Sequence, residues 1–408
     1  NNYFVSDTNY GWGPNSIGDR TDIPNWLEWF RSDDTATYMT ALFNESAQNS
    51  SYTRTLVDPG GENEIIMFKS CFPNSALEGS PNDLPDPNPG LTVGHAKYVY
   101  NEILQYFALH PEKLFVVITA PPLSDGTYAA NARAFNNWLV YHWLYENNYT
   151  QSNVVVFDFY NVLTHSTHHH RFYNGDIQHY FATQNTLYYP SGDDHPSEAG
   201  SQKATTEFVT LLNVYYNRWK AGAVNVAIKS NGTLDGWVLE SAETSNVGGS
   251  IDSAATTFRL GDNAADKQYR AILSFNTSTI PDTAVVLSAT LKVKRGSLVG
   301  TDPFTTHGIL RVDVISGRFH DNSALEIVDF QAPATQLASA SFSKVNVTLW
   351  HNAVFKSANF NVFNLVGITQ MRLRFSTDDN NDNGADYRLF YSGNSANKPV
   401  LWITYYVP

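Results

Sequence analysis

The sequence contains a single cysteine, Cys71, in 408 residues. One cysteine excludes an intramolecular disulfide, and it leaves the redox compartment of the protein open. Charged residues are scarce as well, because Asp, Glu, Lys and Arg make up only 16% of the chain. Acidic residues outnumber basic ones, and the net charge of -13 argues against nucleic acid or an anionic membrane as the main partner. No apolar stretch is long enough to span a bilayer as a helix, so no membrane span is expected.

Aromatic residues, in contrast, are plentiful, and Tyr, Phe and Trp together account for 14% of the chain. This composition is typical of a secreted or cell-surface protein that contacts sugars. Tyrosines at the strand positions of a β-rich core would explain it equally well, so both interpretations stay open. A hydrophobic fraction of 42% excludes disorder, and 408 residues predict two domains. The chain begins at Asn1 without an initiator Met or a signal peptide, which indicates a processed or incomplete product.

Residues 1 to about 220 alternate between short apolar runs and segments of helical period. Apolar strands separated by crossover helices pack as a parallel sheet with helices on both faces, so this region is predicted to be an α/β domain. In such folds the functional site lies at the carboxyl ends of the strands. The predicted strands are residues 64–70, 114–119 and 153–160, and the predicted helices are residues 94–110, 129–145 and 198–219.

The sharpest motif is Asp193-Asp194-His195-Pro196, just before the last predicted helix of this domain. A histidine beside a carboxylate is the base and its orienting acid in a nucleophilic triad. The acid selects the tautomer of the imidazole, and the imidazole takes a proton from a serine hydroxyl. The other interpretation is a surface turn that caps the final helix.

With Gly200 behind it, this motif resembles the final block of the Ser-Gly-Asn-His (GDSL-like) hydrolases. That family usually has an aspartate three residues before the histidine, but here the position is Gly192, so Asp193 and Asp194 both remain candidates. The resemblance implies a flavodoxin-like, three-layer α/β domain over residues 1–220. It also implies serine-esterase chemistry, which requires no cofactor.

The segment after the first predicted strand stands where this family places its Gly-X-Asn-Asp block. The asparagine of that block helps to stabilise the oxyanion of the transition state. The resemblance therefore makes Asn74 a candidate oxyanion donor, with Ser70 as an alternative source of a hydroxyl or backbone donor. A structural turn that holds a buried Cys71 is the competing interpretation.

The nucleophilic serine of the family has no evident counterpart. In one alignment Thr8 takes its place, although the methyl group of threonine crowds the attack. In a second alignment residues 2–6 form the family's second strand, and Gly11 and Gly13 supply backbone amides to the oxyanion hole. The first strand and its serine would then lie N-terminal to Asn1.

After residue 224 no long helical period appears, and alternating strands are separated by clusters of Gly, Asn, Asp and Pro. This pattern predicts an all-β jelly-roll sandwich over residues 224–408, joined to the first domain by residues 221–224. It resembles a family of secreted jelly-roll modules found beside enzymes and on bacterial surface proteins. The matching stretches are residues 261–270, 280–281, 288–293, 370–375 and 399–401.

Modules of that family often bind polysaccharide through aromatic side chains. The resemblance therefore implies a polysaccharide or an acylated glycan as partner. The aromatic candidates are Trp237, Trp350, Tyr387 and Tyr391.

An Asx-rich run from residue 378 to residue 386 offers many hard oxygen ligands. Asp379, Asn381 and Asn383 fit the start of a calcium loop, with Asp386 beyond them, so Ca²⁺ is the one cofactor that the sequence suggests. The closing Glu of such a loop is missing, and a metal-free hairpin loop is the alternative. A dense histidine cluster lacks the partners at fixed spacing that zinc sites use, and we assign no metal to it. Its members are His165, His168, His169, His170 and His179.

Two functions follow from these observations. The first is an extracellular esterase that deacylates a polysaccharide held by the β module. The second is a catalytically degenerate hydrolase scaffold that serves as a cell-surface, adhesion or filament-forming protein through self-association, for example by pairing of edge strands.

Overall fold

The computed structural model describes residues 3–51, 54–346 and 349–408. The chain divides between Gly222 and Ala223 into two compact units, which we call the α/β unit and the β unit. This division falls inside the short segment, residues 221–224, that the sequence marks as a linker. Within the described ranges, no helix is both long enough and apolar enough to cross a membrane.

The α/β unit contains a parallel sheet, a β-hairpin and several helices. Its strands are β1 Ile65–Lys69, β2 Leu114–Ile118, β3 Val154–Phe157, β4 His169–Tyr173 and β5 Asp176–Tyr180. Its α-helices are α1 Trp26–Arg31, α2 Thr35–Phe43, α3 Val93–Leu109, α4 Ala129–Tyr141, α5 Trp143–Glu146, α6 Phe159–Thr164 and α7 Glu198–Lys220. Short 3-10 helices span Pro14–Asp19, Ile23–Asn25 and Phe72–Ser75.

The parallel sheet has the order β1-β2-β3, and both of its faces are covered. On one face Phe68 and Val117 pack into an aromatic core that includes Phe30 of α1 and Phe107 of α3. On the other face the strands pack against α7, for example Val116 on Leu212. Coverage on both faces explains why the strands are apolar at successive positions rather than alternating.

The predicted α/β class is therefore present at its coarser level, as a small parallel sheet between helices. Only three parallel strands form in the described residues. Residues 3–6, expected to form a second strand, belong to no strand, and Asn2 lies outside the described residues. Residues 3–6 and β1 line the same cavity.

Two further boundaries differ from the sequence prediction for local reasons. The third strand ends at Phe157 because Asp158 caps α6, accepting a hydrogen bond from the backbone N–H of Asn161. The helix predicted over residues 129–145 is interrupted at His142, whose backbone is not helical. The hairpin of β4 and β5 was not predicted.

The β unit is antiparallel throughout. Its strands are β6 Val224–Lys229, β7 Gly236–Glu240, β8 Gly248–Asp252, β9 Thr257–Asp262, β10 Gln268–Asn276, β11 Val285–Val299, β12 Leu310–Ile315, β13 Gln336–Phe342, β14 Trp350–Phe355, β15 Ile368–Phe375, β16 Tyr387–Tyr391 and β17 Val400–Tyr406. One short helix, α8, spans Pro303–Thr306.

These strands form a barrel-like sandwich. The order is β14-β13-β12-β15-β10-β9-β16-β11-β17-β6, and β14 also pairs with β11, so the sheet closes on itself. Alternate residues point into one apolar core, among them Phe258, Leu273, Leu291 and Leu373, which are fully buried. Among the described residues, the strand β6 pairs only with β17, and β8 pairs only with β7.

Candidate functional site

His195 and Asp193 form a hydrogen-bonded pair in the loop before α7. Nδ1 of His195 lies 3.0 Å from Oδ2 of Asp193, and the Asp193 carboxylate also accepts the backbone N–H of His195 at 2.9 Å. The backbone hydrogen bond, then the contact with the imidazole, lowers the pKa of Asp193. An ionised Asp193 favours a proton on Nδ1 of His195, which leaves Nε2 of the ring to act as a base.

Asp194 does not contact His195. Its Oδ1 atom accepts the backbone N–H of Ser124 at 2.7 Å. This bond ties the His195 loop to the loop that follows β2, where the strands present their carboxyl ends. The geometry therefore separates the two candidates: Asp193 orients the imidazole, and Asp194 anchors its loop.

Phe72 brings the end of β1 to the same place. Its ring lies edge-on to the ring of His195, with centroids 4.8 Å apart and an interplanar angle of 84°. Gly200, at the start of α7, is needed because a Cβ there would lie 2.8 Å from the side chain of Tyr189. Sequence reasoning missed Phe72, although its position directly after a parallel strand was the available signal.

Asn74 lies in the same 3-10 helix as Phe72 but is only 2% exposed. Its side-chain carbonyl accepts the backbone N–H of Ile23 at 2.7 Å, and its amide donates to Asp22 at 2.6 Å. Asn74 therefore fastens residues 22–25 to the end of β1. The contact with Asp22 uses one of the two N–H donors of this amide.

Ser70 is also buried, with 1% exposure. Its hydroxyl oxygen accepts a hydrogen bond from the indole N–H of Trp26 at 3.0 Å. Trp26 in turn packs edge-on against Phe68 in the aromatic core. The Ser70 side chain thus belongs to the interior of the domain and does not face the exposed pair of His195 and Asp193.

The remaining predicted residues, Thr8, Gly11 and Gly13, lie in the N-terminal segment. The backbone N–H of Gly11 donates to Oδ1 of Asp19 at 2.7 Å, and Gly13 precedes the first 3-10 helix. Both glycines have positive φ, which suits glycine. In the part of the chain that the structure describes, no hydrogen bond or ring contact joins these three residues to His195.

Thr8 instead lines a cavity of about 320 Å³ beside the free edge of β1. The N-terminal segment forms one wall, and β1 with α7 forms the others. The lining is mostly apolar and includes Tyr3, Val5, Ile65, Met67, Phe208 and Leu212. Met67, in the middle of β1, is 41% exposed although it sits within a parallel strand. An unpaired edge beside an apolar cavity is unusual for a parallel sheet, whose strands are normally buried.

The histidines of the cluster form hydrogen bonds with two carboxylates inside the α/β unit. The sequence did not indicate these two partners. The fully buried Asp158 binds Nε2 of His179 at 2.8 Å, and its backbone N–H donates to His170. Glu207 of α7 contacts Nδ1 of His169 at 2.7 Å. These bonds attach the β4–β5 hairpin to α7 and β3, which is a structural role.

The predicted calcium residues are only partly brought together. Asp379 and Asp386 are buried, whereas Asn381 and Asn383 are exposed at positive φ. Of the described residues, no three His, Cys, Asp or Glu side chains are placed so that they could hold one metal ion. The carboxylate of Asp266, which sequence reasoning missed, accepts the backbone N–H of Asn383.

Two of the aromatic candidates meet on β7 and β16. Trp237 and Tyr387 are half-buried and flank the guanidinium of Arg259, each with its ring centroid 5.2 Å from the guanidinium carbon. Tyr269 adds a third ring at 5.5 Å. Trp350, in contrast, is only 9% exposed.

No protein-family model matches the chain, and the search of curated proteins found no match either.

Proposed function

We propose that the α/β unit carries the acid–base half of a serine-esterase active site, as the resemblance to the Ser-Gly-Asn-His hydrolases implies. The observation that carries this proposal is the 3.0 Å contact between Nδ1 of His195 and Oδ2 of Asp193. The pair lies in a loop tied to the loop after β2 and in contact with the segment after β1. Sites of α/β proteins form at this edge of the sheet.

In the proposed reaction, Nε2 of His195 takes the proton of a serine hydroxyl while the serine oxygen attacks the ester carbonyl. The ionised Asp193 stabilises the resulting imidazolium. His195 then returns the proton to the leaving alcohol, and an acyl-enzyme forms. Water, activated by the same imidazole, releases the acid and regenerates the serine.

The proposal requires a nucleophile. The cavity beside β1 is where we expect the strand that carries it. A parallel strand in this cavity would pair with the free edge of β1 and end near Phe72 and His195. A serine directly after that strand would then reach the imidazole. The expected source of this strand is the segment N-terminal to Asn1, and Thr8 is the alternative nucleophile within the described chain.

A fluorophosphonate probe tests the proposal on the native protein as isolated. We expect covalent labelling of one hydroxyl-bearing residue, located by mass spectrometry of peptides, and loss of labelling in His195→Ala. His110→Ala, at a histidine remote from the loop before α7, is the matched control and should label normally. Folded protein that does not label, beside a serine hydrolase that does, contradicts the esterase proposal.

A second candidate function is a structural scaffold at the cell surface, in a filament or in adhesion. It is favoured because the expected oxyanion donors form hydrogen bonds within the protein. The Asn74 side chain bonds to Asp22 and Ile23, and the Gly11 N–H donates to Asp19. Strands β6 and β8 each pair on one side only, which suits strand pairing between copies. Light scattering distinguishes the candidates: ordered assemblies without labelling support the scaffold, and a labelled monomer contradicts it.

For the β unit we propose that it is a jelly-roll module that holds a polysaccharide, in either case outside the cell. The half-buried rings of Trp237 and Tyr387 support this role, because aromatic faces stack on the apolar faces of sugars. Arg259 between them adds hydrogen-bond donors for hydroxyl or acyl oxygens.

A further inference from the structure

Four buried aspartates meet in the β unit where the end of β9, the turn before β10 and the loop before β16 come together. We call them the Asp262 cluster. Their exposed fractions are only 0% to 4%. The members are Asp262, Asp266, Asp379 and Asp386.

Backbone N–H groups of the loop before β16 hold these carboxylates in place. The N–H of Asp386 donates to Oδ1 of Asp262 at 3.0 Å, and the N–H of Asn383 donates to Oδ1 of Asp266 at 3.1 Å. Asp386 itself uses both carboxylate oxygens, accepting from the backbone of Thr301 and from the side-chain amide of Asn380. Asp386 therefore positions the loop, and the other carboxylates keep oxygen lone pairs for a ligand.

The negative charge of the cluster is not balanced by the protein. Over the described ranges, no Lys or Arg forms an ion pair with any of its four carboxylates, and the imidazole of His307 lies 3.4 Å from Asp262. Buried carboxylates that lack a basic partner are costly unless a metal ion neutralises them.

Three buried polar atoms around the cluster have no hydrogen-bond partner. They are Oδ2 of Asp262, Oδ1 of Asn380 and Nε2 of His307. Asp262 and His307 are both fully buried, and Nε2 of His307 lies 3.4 Å from Oδ1 of Asp262. Buried polar atoms in native proteins are nearly always satisfied by a protein group, a water molecule or an ion. These three atoms are therefore available to a bound ion or to water.

We propose that the Asp262 cluster binds one Ca²⁺ ion through the side-chain oxygens of Asp262, Asp379 and Asn380, with Asp266 completing the set. The donors are mainly hard oxygens on loops, and Ca²⁺ takes six to eight such ligands in flexible geometry. In the described residues the three aspartates do not converge on a single point, and Ca²⁺ binding would require the loop before β16 to move towards Asp262. The proposal is independent of the esterase activity.

The test is Ca²⁺ binding to the full chain after treatment with a chelator, measured by calorimetry and by thermal unfolding of the β unit. We expect one ion per chain and a rise in melting temperature of roughly 5 to 10 °C at a hundredfold excess of Ca²⁺ over Kd. Asp262→Asn and Asp379→Asn should each weaken binding about tenfold or more. Asp282→Asn, at an exposed aspartate of the same unit, should leave the affinity unchanged.

Several results would overturn the proposal. The proposal is overturned if the wild-type chain binds no Ca²⁺, and this result does not depend on whether the variants fold. Unchanged affinity in folded Asp379→Asn would place the ion elsewhere. If Zn²⁺ binds more tightly than Ca²⁺, and His307→Gln abolishes this binding, the site is of another kind and includes a nitrogen ligand. If Mg²⁺ binds as tightly as Ca²⁺, the site is not selective for Ca²⁺.

Discussion

Oδ2 of Asp193 lies 3.0 Å from Nδ1 of His195, whereas the adjacent Asp194 accepts a hydrogen bond from the backbone of Ser124. Two neighbouring acids of identical chemistry therefore have different partners. The sequence motif treats them alike, and the loop backbone decides which one reaches the imidazole. This division gives the esterase proposal its sharpest internal control.

We expect Asp193→Asn to lower hydrolysis of p-nitrophenyl acetate by about a hundredfold or more, because the amide no longer stabilises the imidazolium of His195. Asp194→Asn should keep most of the activity, since its partner is the N–H of Ser124. Steady-state kinetics on both variants, with folding checked by circular dichroism, measures the difference. Equal losses in the two variants would contradict the assigned roles.

The cavity beside β1 can be tested by filling it. Val209 of α7 lines the cavity, and Val209→Phe should block pairing of a further strand with β1. We expect loss of fluorophosphonate labelling with a far-UV spectrum close to that of the wild type. Thr205→Phe, at an exposed position of the same helix, is the matched control and should label normally. Normal labelling of Val209→Phe would place the nucleophile elsewhere.

The histidine network should make the α/β unit sensitive to acid. Burial lowers the pKa of His168 to about 4 and of His170 to about 3. Both rings are neutral in the folded state, while the unfolded chain protonates them below about pH 6.5. Stability is therefore fully present above pH 6.5 and falls as the pH drops towards 4, by an order of about 3 kcal/mol for His170 and by less for His168.

Urea unfolding between pH 7 and pH 4 measures this loss. Replacing His170 by Gln, which does not titrate, should make the stability curve flatter, even if stability at pH 7 falls. A slope that is the same in His170→Gln and wild type would show that His170 does not contribute to acid unfolding.

The aromatic group around Arg259 should carry the polysaccharide affinity of the β unit. Trp237→Ala or Tyr387→Ala removes a ring from this surface, and each should weaken binding of an acylated polysaccharide by about 1 kcal/mol, roughly fivefold. Affinity electrophoresis in gels that contain the polysaccharide gives the measurement. Tyr391→Ala, further along β16, is the comparison, and equal weakening by all three would argue against a site at Arg259.

The class of each half of the chain could be predicted from local pattern. Apolar runs such as residues 114–119 form a strand because both faces of a parallel sheet are buried, and the alternating residues 289–295 lie within β11 because one face packs on a core. These signals are short-range, so no knowledge of the fold is needed to detect them. The triad-like motif at His195 was visible for the same reason, since its members are neighbours in sequence.

Contacts between distant segments were decided by the tertiary structure alone. Asp262 and Asp386 are far apart in sequence, and only the pairing of β9 with β16 brings them into one buried cluster. The local calcium pattern found Asp379 and Asp386 of this cluster, but it also selected Asn381 and Asn383, which are exposed at positive φ. The free edge of β1 is likewise invisible in sequence, because an apolar run shows that a strand is buried and not which strand lies beside it.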